Sequence, residues 1–397
     1  MKKILLLGGS AQQIVAIETA KRLGYYTVLC DYLPDNPGQH HADKFYLVST
    51  TDKEAVLDVA KQEEVNGVLA YASDPAAPTA AYVAEKLGLP GNPYTSVEIL
   101  CNKDKFRMFL NANGFFTPKS CGYASEEEAQ ADISRFSLPV IIKPVDSSGS
   151  KGATVLYALD NLDKALTFAF SFSRSHRIVI EEFVEKNHPH LIGGDIFIQD
   201  GDVMLWGLLN CHRDLSVNPL VPVGKSYPPE LDPEDLERIK KTLQSMVDKL
   251  GMRFGAMNVE LIVDQYGHVC PIDVGPRSGG NMIPDLLSMI FDIDIVEMTI
   301  RAAMGESVEA RISEGLPYFA THNLHSSRKG IYEKIQYSPE LEQYIIRKCE
   351  YKVPGDDVEF FDNAAKCLGI VFFKFPDKET MHYGMEHINE LIAIELR

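Results

Sequence analysis

The sequence predicts an α/β and α+β chain: a doubly wound parallel sheet, then a β-rich lobe, then a mixed C-terminal unit. Three observations carry this. The first ninety residues alternate short apolar runs with helical patterns, as strands joined by crossover helices do. From Leu138 the pattern changes to strand, Gly/Ser loop, strand. Two long hairpins follow, turning at Asp200-Gly201 and at Gln265–Gly267.

Each element has its own signal. Ile4–Leu7 is a buried strand, and Ile14, Ile17, Ala20 and Leu23 mark one helix face. Tyr26–Asp31 and Phe45–Thr50 are strands, Ala55–Glu63 a helix, Gly67–Ala72 a strand and Pro78–Leu87 a helix. A ligand crevice is expected at the carboxyl ends of these strands. Ser96–Asn113 reads as one helix stopped at Asn113-Gly114. The β-rich lobe, residues 118–210, holds strands around Leu138–Tyr157, Arg177–Glu185 and Asp195–Leu209 and one helix, Asp160–Ser173. Pro219–Pro229 reads as a surface passage. Asp232 caps a helix with Leu236, Ile239, Leu243, Met246, Val247 and Leu250 on one face. Met257–Gly275 is a hairpin, Pro284–Gly305 a helix, and the last eighty residues a small α+β unit.

Composition excludes several classes. Lys plus Arg is 39 and Asp plus Glu is 56, a formal net charge of −17. A general nucleic-acid binder needs a basic face, so that class is excluded, whereas a small anion in a locally basic pocket is not. No apolar run approaches the ~18 residues of a membrane span. The opening MKKILLLGGS breaks at Gly8-Gly9 and reads as a strand, not a signal peptide. Seven cysteines, odd in number and never CxxC, read as reduced thiols of a cytoplasmic protein. Gly8-Gly9-Ser10 and Asp31 raise a nicotinamide-dependent oxidoreductase as an alternative, but the full GxGxxG is missing and a tight turn explains the glycines.

Four pieces in fixed order carry the chemistry. Lys103 starts a helix. Lys143 ends an apolar strand and can reach a phosphate, and the loop after it, Ser147–Gly152, offers small residues and bare backbone N–H groups to phosphate oxygens. It is not a Walker loop, since GxxxxGK[ST] is missing. Glu181 and Glu182 are paired acids on the strand IEEFV. Glu260 and Asp273 sit on adjacent hairpin strands, where facing carboxylates would repel unless a cation such as Mg²⁺ lies between them. Arg277, just beyond, suits charge on a transferring phosphoryl group.

Together these pieces resemble the ATP-grasp superfamily, in the style of biotin carboxylase, the carbamoyl phosphate synthetase large subunit and D-alanine–D-alanine ligase. The resemblance implies a pre-ATP-grasp domain over residues 1–95. It implies an ATP-grasp domain over 96–310 with the lobe 118–210 as lid, and a C-terminal unit over 311–397. It makes Lys103 and Lys143 the nucleotide lysines, with Ser147, Ser148, Gly149, Ser150 and Gly152 as the flap. Glu181, Glu182, Phe183 and Val184 become the adenine hinge, Glu260 and Asp273 the metal acids, and Arg277 with Lys143 the catalytic cations. The family often places an acid for ribose where this chain has His188; His190 and Asp195 are the alternatives. Where the family has Glu-x-Asn-x-Arg, this chain has Asp273-Val274-Gly275-Pro276-Arg277, which predicts weaker metal binding or one metal with an extra water.

The implied reaction is ATP-dependent activation of a carboxylate as an acylphosphate, then capture by an amine or similar nucleophile, with ADP and phosphate as products. ATP and Mg²⁺ are the implied cofactors, with Mn²⁺ as a substitute. Small-molecule acid and amine are the implied partners, without nucleic acid or membrane, and a homodimer is compatible. Substrate determinants are expected in Cys211–Asp214, Pro284–Asp294 and His322–Gly330, where Arg213, Arg328 and Lys329 suit an anionic substrate. His322 and His325, three apart, also raise a metal site. A binding protein with a degenerate ATP site is the remaining alternative.

Overall fold

The computed structural model describes residues 1–308, 312 and 314–397. Its first sheet is built of β1 (Lys3–Leu7), β2 (Tyr26–Asp31), β3 (Lys44–Leu47) and β4 (Gly67–Leu69), all parallel in the order β3-β2-β1-β4. Parallel strands need crossovers, and α1 (Ile14–Arg22) and α2 (Lys53–Glu63) belong to these connections, while α3 (Ala77–Leu87) follows the last strand. Ile4–Leu7 are fully buried, as a central strand covered on both faces requires.

The nicotinamide alternative ends at the first turn. Asp31 Oδ2 accepts the Gly9 N–H at 2.7 Å and Oδ1 accepts the Leu33 N–H at 2.8 Å. Gln13 lies across the turn, accepting from Ser10 N–H and donating to Leu7 O and Tyr71 O. A Cβ on Gly8 would meet the Gln13 amide at 2.4 Å. The acid and the space that a dinucleotide needs are occupied by the protein itself.

The helix expected over Ser96–Asn113 is two, α4 (Tyr94–Leu100) and α5 (Lys103–Ala112), broken where Asn102 is extended. The Lys103 N–H bonds Val145 O at 2.9 Å, a distant partner that local propensity does not reveal.

The lid sheet pairs β5 (Ser120–Tyr123), β6 (Val140–Pro144), β7 (Thr154–Leu156) and β8 (Ile178–Glu182) antiparallel in the order β5-β8-β6-β7. It carries two helices, α6 (Glu126–Asp132) and α7 (Leu162–Ser171), not one. Val140, Ile142, Leu166, Ile178 and Ile180 form its separate core.

The lid ends earlier than the sequence suggests. β9 (Leu191–Gln199) and β10 (Asp202–Arg213), expected within residues 118–210, belong to an eight-stranded sheet. β9 pairs with β12 (Phe254–Val263) from Gln199 opposite Phe254 to Ile192 opposite Leu261, and this partner decides its place. The expected surface passage over Pro219–Pro229 contains β11 (Pro222–Tyr227), a buried strand between β10 and β14 (Phe319–Leu324). Its prolines stand at the ends, where a missing N–H breaks no ladder.

After β11, Asp232 caps α8 (Pro233–Leu250) by accepting the Glu234 N–H. β12 (Phe254–Val263) and β13 (Val269–Gly275) form the expected hairpin. The helix expected over Pro284–Gly305 is broken into α9 (Ile283–Phe291) and α10 (Ile295–Ala303) by Asp292 in the left-handed region, φ 54°. The boundary expected between residues 310 and 311 lies outside the described residues. Beyond it come β14 (Phe319–Leu324), β15 (Gly330–Tyr337), α11 (Pro339–Glu342), β16 (Ile345–Glu350), β17 (Asp357–Val358), β18 (Gly369–Lys374), α12 (Lys378–Glu386), α13 (Ile388–Leu391) and β19 (Ile392–Leu396). The large sheet runs β13-β12-β9-β10-β11-β14-β18-β16, and β17-β15-β19 form a small sheet of their own. All seven cysteines are free, and among the described residues no helix is long and apolar enough to cross a membrane.

Candidate active site

A cavity of about 1130 Å³ is lined by the lid sheet, the large sheet and the C-terminal helices. The sequence-predicted residues Lys103, Lys143, Ser147–Ser150, Glu181–Val184, Glu260 and Asp273 all line it, although they come from six separate stretches of chain. Gly152, His188 and Arg277 do not.

The lysine end is built around a buried ionic network. Glu181, 3% exposed at the end of β8, accepts from Arg107 Nε at 2.8 Å, from Arg107 Nη2 at 3.2 Å and from Lys143 Nζ at 2.9 Å. Burial alone would raise this carboxyl; Arg107 and Lys143 outweigh it and hold the pKa at about 2. Arg107 also donates to Pro271 O at 2.7 Å and Ile272 O at 2.8 Å on β13, so one guanidinium joins α5, the lid strand and the large sheet. The sequence reading missed Arg107. Its signal was an arginine four places after Lys103, beside Phe106 and Leu110, which are buried on that helix. Burial, with Arg107 and Lys103 nearby, lowers the Lys143 pKa despite Glu181.

The two acids expected to hold a metal are register partners: Glu260 lies opposite Asp273 on β12 and β13, with a bulge just after Glu260. Lys103 Nζ stands 3.2 Å from Asp273 Oδ2 and donates to Ser147 O at 2.9 Å, so it touches both a metal acid and the flap. Burial lowers the Lys103 ammonium, but Asp273 and Asp74 raise it further, to above the ordinary lysine value. Burial pushes the Asp273 carboxyl up, and Lys103 and Lys143 hold it below the usual carboxylate range. Two facing carboxylates on a cavity wall are the oxygen donors a hard divalent cation takes, so Mg²⁺ fits here.

The flap lies over the cavity. Ser147 Oγ donates to Lys151 O at 2.8 Å, and Ser150 Oγ to Leu220 O at 2.9 Å. Gly149 and Gly152 have φ of 66° and 74°, and a Cβ on Gly152 would meet Pro144 at 2.8 Å, so Gly152 shapes the flap without lining the cavity. On the other side, Pro118, Ile141, Phe183, Val184, Ile262 and Ile272 form an apolar slot next to the hinge, suited to a flat aromatic base.

Two expected residues serve elsewhere. His188 is buried: Nδ1–H donates to His190 O at 2.5 Å, and Nε2 accepts the Val263 N–H at 2.9 Å. Its ring staples the loop to β12, and neither nitrogen is left for ribose. Of the alternatives, His190 lines the cavity, whereas Asp195 is buried outside it, accepting from Gly279 N–H and Asn258.

Arg277 is the second correction. Its Nε donates to Asp74 Oδ1 at 2.7 Å, its Nη2 to Asp74 Oδ2, and its Nη1 to Ser278 O at 2.9 Å. The guanidinium is thus held on the first sheet's side. Gly275 makes this contact possible: a Cβ there would meet Asp74 Oδ1 at 2.7 Å and Arg277 Cζ at 3.1 Å. The missing asparagine is therefore space for an ion pair. His322 and His325 are ring neighbours with centroids 5.3 Å apart, but among the described residues no group of three metal-ligating side chains is found.

A family model described as "Carbamoyl-phosphate synthase L chain, ATP binding domain" matches residues 102–311. An uncharacterized protein of Sinorhizobium fredii, y4rH, is 28% identical over 268 residues, 65% of this chain and 54% of its own length. The formate-dependent phosphoribosylglycinamide formyltransferase of Sulfurisphaera tokodaii is 25% identical over 309 residues, 77% of this chain and 76% of that protein. The chain thus spans about half the length of the first of these relatives and three quarters of the second. The L-amino acid ligase of Bacillus licheniformis shares the fold with a TM-score of 0.82, at 22% identity over 100% of this chain and 99% of that one.

Proposed function

The chain belongs to the family of the carbamoyl-phosphate synthase L chain ATP-binding domain, and from that membership we propose that it is an ATP-grasp carboxylate–amine ligase. The observation that carries this reading is Glu260 opposite Asp273 on the wall of a cavity that Lys103, Lys143 and the flap also line. An oxidoreductase has no use for that set. The cavity also exceeds the ~300–1,000 Å³ typical of a single small-molecule site, which leaves room for a nucleotide and a second molecule.

The base lies in the slot beside Phe183 and Val184. Lys103 and Lys143 offset the phosphate charge, the N–H groups of Ser147–Ser150 wrap the phosphate oxygens, and Glu260 with Asp273 would hold Mg²⁺. That ion would draw charge off the transferring phosphoryl group. An oxygen of the substrate carboxylate attacks the γ-phosphorus and the bond to the ADP oxygen breaks, giving RCO–OPO₃²⁻ and ADP³⁻. The amine then attacks the acyl carbon, phosphate leaves, and the amine's proton passes to the medium. None of this needs a nucleophilic side chain; it needs alignment and charge stabilisation. The lid shields the acylphosphate from water. Seven free thiols support a cytoplasmic setting.

The test is ADP release with Mg²⁺, ATP and pooled acids, using hydroxylamine to trap any acylphosphate as a hydroxamate. Asp273→Asn should cut ADP formation about 100-fold or more, the scale of losing a transition-state charge contact, with a much smaller change in nucleotide affinity. MgATP binding without turnover under all acids would favour the degenerate-site alternative. Intact turnover in Asp273→Asn would remove the metal assignment.

A further inference from the structure

Away from the lysines, the cavity continues into an arm between the large sheet and the C-terminal helices. Sheet register places His212, Gly224 and His322 in one row across β10, β11 and β14. Side chains in one row share a face, so His212 and His322 flank a position where only glycine fits: a Cβ on Gly224 would meet Thr321 O at 2.5 Å and Met385 Cε of α12 at 3.3 Å. Neighbouring residues of a strand normally face opposite ways. Here the ladder shifts register between His212 and Arg213, and both line the cavity.

The arm has polar groups that no described residue satisfies. Arg213 Nη1 and His322 Nδ1 are buried and have no hydrogen-bond partner among the described residues, and His322 is only 3% exposed. Such groups are costly to bury unless a ligand completes them. Asp214, next in sequence, is not available to Arg213: it accepts from Ser216 N–H and Oγ, from His325 Nε2 and from Asn389 Nδ2. The recorded carboxylate contact of Arg213 is Glu260, at 4.0 Å, beyond hydrogen-bond reach. The flap reaches the same arm through Ser150 and Leu220 O. Arg277, expected beside the phosphates, is withdrawn to Asp74. Arg213 is thus a guanidinium next to the metal acids that keeps an unpaired donor. Beyond it Val223, Met381, Met385 and Ile388 line the wall as an apolar stripe, with the acids Glu230 and Glu386 and the polar His382 and Asn389 beside them.

We propose that this arm is the acid-substrate pocket. Arg213 and His322 hold the carboxylate that is phosphorylated, and the rest of the acid lies against Met381, Met385 and Ile388, so that monocarboxylates with an apolar body are preferred. The inference rests on the ligase reading above. A second carboxylate on the acid would be desolvated against thioether and aliphatic carbon and would face the like charges of Glu230 and Glu386, which is how such a wall rejects dicarboxylates.

The experiment uses the full chain, Mg²⁺ and ATP with hydroxylamine, and a panel of linear C2–C8 monocarboxylates and hydrophobic L-amino acids against C3–C6 dicarboxylates. Hydroxamate and ADP are both read. The expected result is hydroxamate from apolar monocarboxylates. Arg213→Gln should raise the KM for the acid about tenfold or more, with the ATP affinity by calorimetry within about twofold, and Arg213→Lys should recover part of the loss. An unchanged acid KM in Arg213→Gln would overturn the proposal. So would an equal rise for ATP, which would make Arg213 a nucleotide contact. Dicarboxylates preferred over monocarboxylates, or MgATP bound with no hydroxamate from any acid, would also overturn it. If the chain fails to bind MgATP at all, the ligase reading itself has failed.

Discussion

At the lysine end of the cavity, Lys103, Lys143, Glu181 and Asp273 are all paired with one another or with Arg107. At the other end, Arg213 and His322 keep buried nitrogens without partners among the described residues. The first end is a finished electrostatic structure in which every charge already has a partner. The second is incomplete as protein. Where a cavity wall is satisfied, it positions; where it is unsatisfied, it selects. Two perturbations break the satisfied end, and a third tests the ion pair that lies outside the cavity, in graded steps.

The largest effect is expected at Arg107. Arg107→Met removes two donors to Glu181 and two to β13, leaving a buried carboxylate with Lys143 alone. Breaking one partner out of a buried pair costs about 3–5 kcal/mol, read as a lower urea midpoint at an unchanged m-value. Arg107→Met combined with Glu181→Gln should recover part of that loss.

Acid is the milder lever on the same network. Glu181 is depressed from 4.5 to about 2 in the folded protein. Its stabilisation is complete above the unfolded value and is lost as pH falls through 2. A shift of that size is worth about 3 kcal/mol. Glu181→Gln should flatten the fall in stability between pH 4.5 and 2, measured by denaturant titration at each pH.

The smallest step is Gly275→Ala. Its methyl would crowd Asp74 and Arg277 and cost about 1–3 kcal/mol, as overpacking does. Thermal unfolding should shift down while MgADP affinity stays unchanged, because neither partner lines the cavity. A loss of nucleotide affinity there would return Arg277 to the phosphates.

What could be read from the sequence was whatever a single element carries in itself. Lys143 at a strand end, the flap behind it and the hairpin of Glu260 and Asp273 are local patterns, and similar strand lengths on either side of the turn put the two acids opposite one another. The first sheet was legible for the same reason. What escaped depends on partners far along the chain. The break at Asn102 answers to Val145, the ring of His188 to Val263, and Arg277 to Asp74. β11 was hidden because its flanking prolines dominate a six-residue strand. Arg213 was noticed only as a charge; its unpaired state appears once Asp214 is seen to be held by Ser216, His325 and Asn389.

Gly275, Asp74 and Arg277 also constrain how this chain can change over generations. An asparagine at position 275 collides with the ion pair as long as both partners remain, and loss of Asp74 alone strands a buried guanidinium. Each single step away from the present arrangement is therefore deleterious. The order of substitutions matters more than their identity, and the three positions should behave as one epistatic unit, exchanged together or not at all.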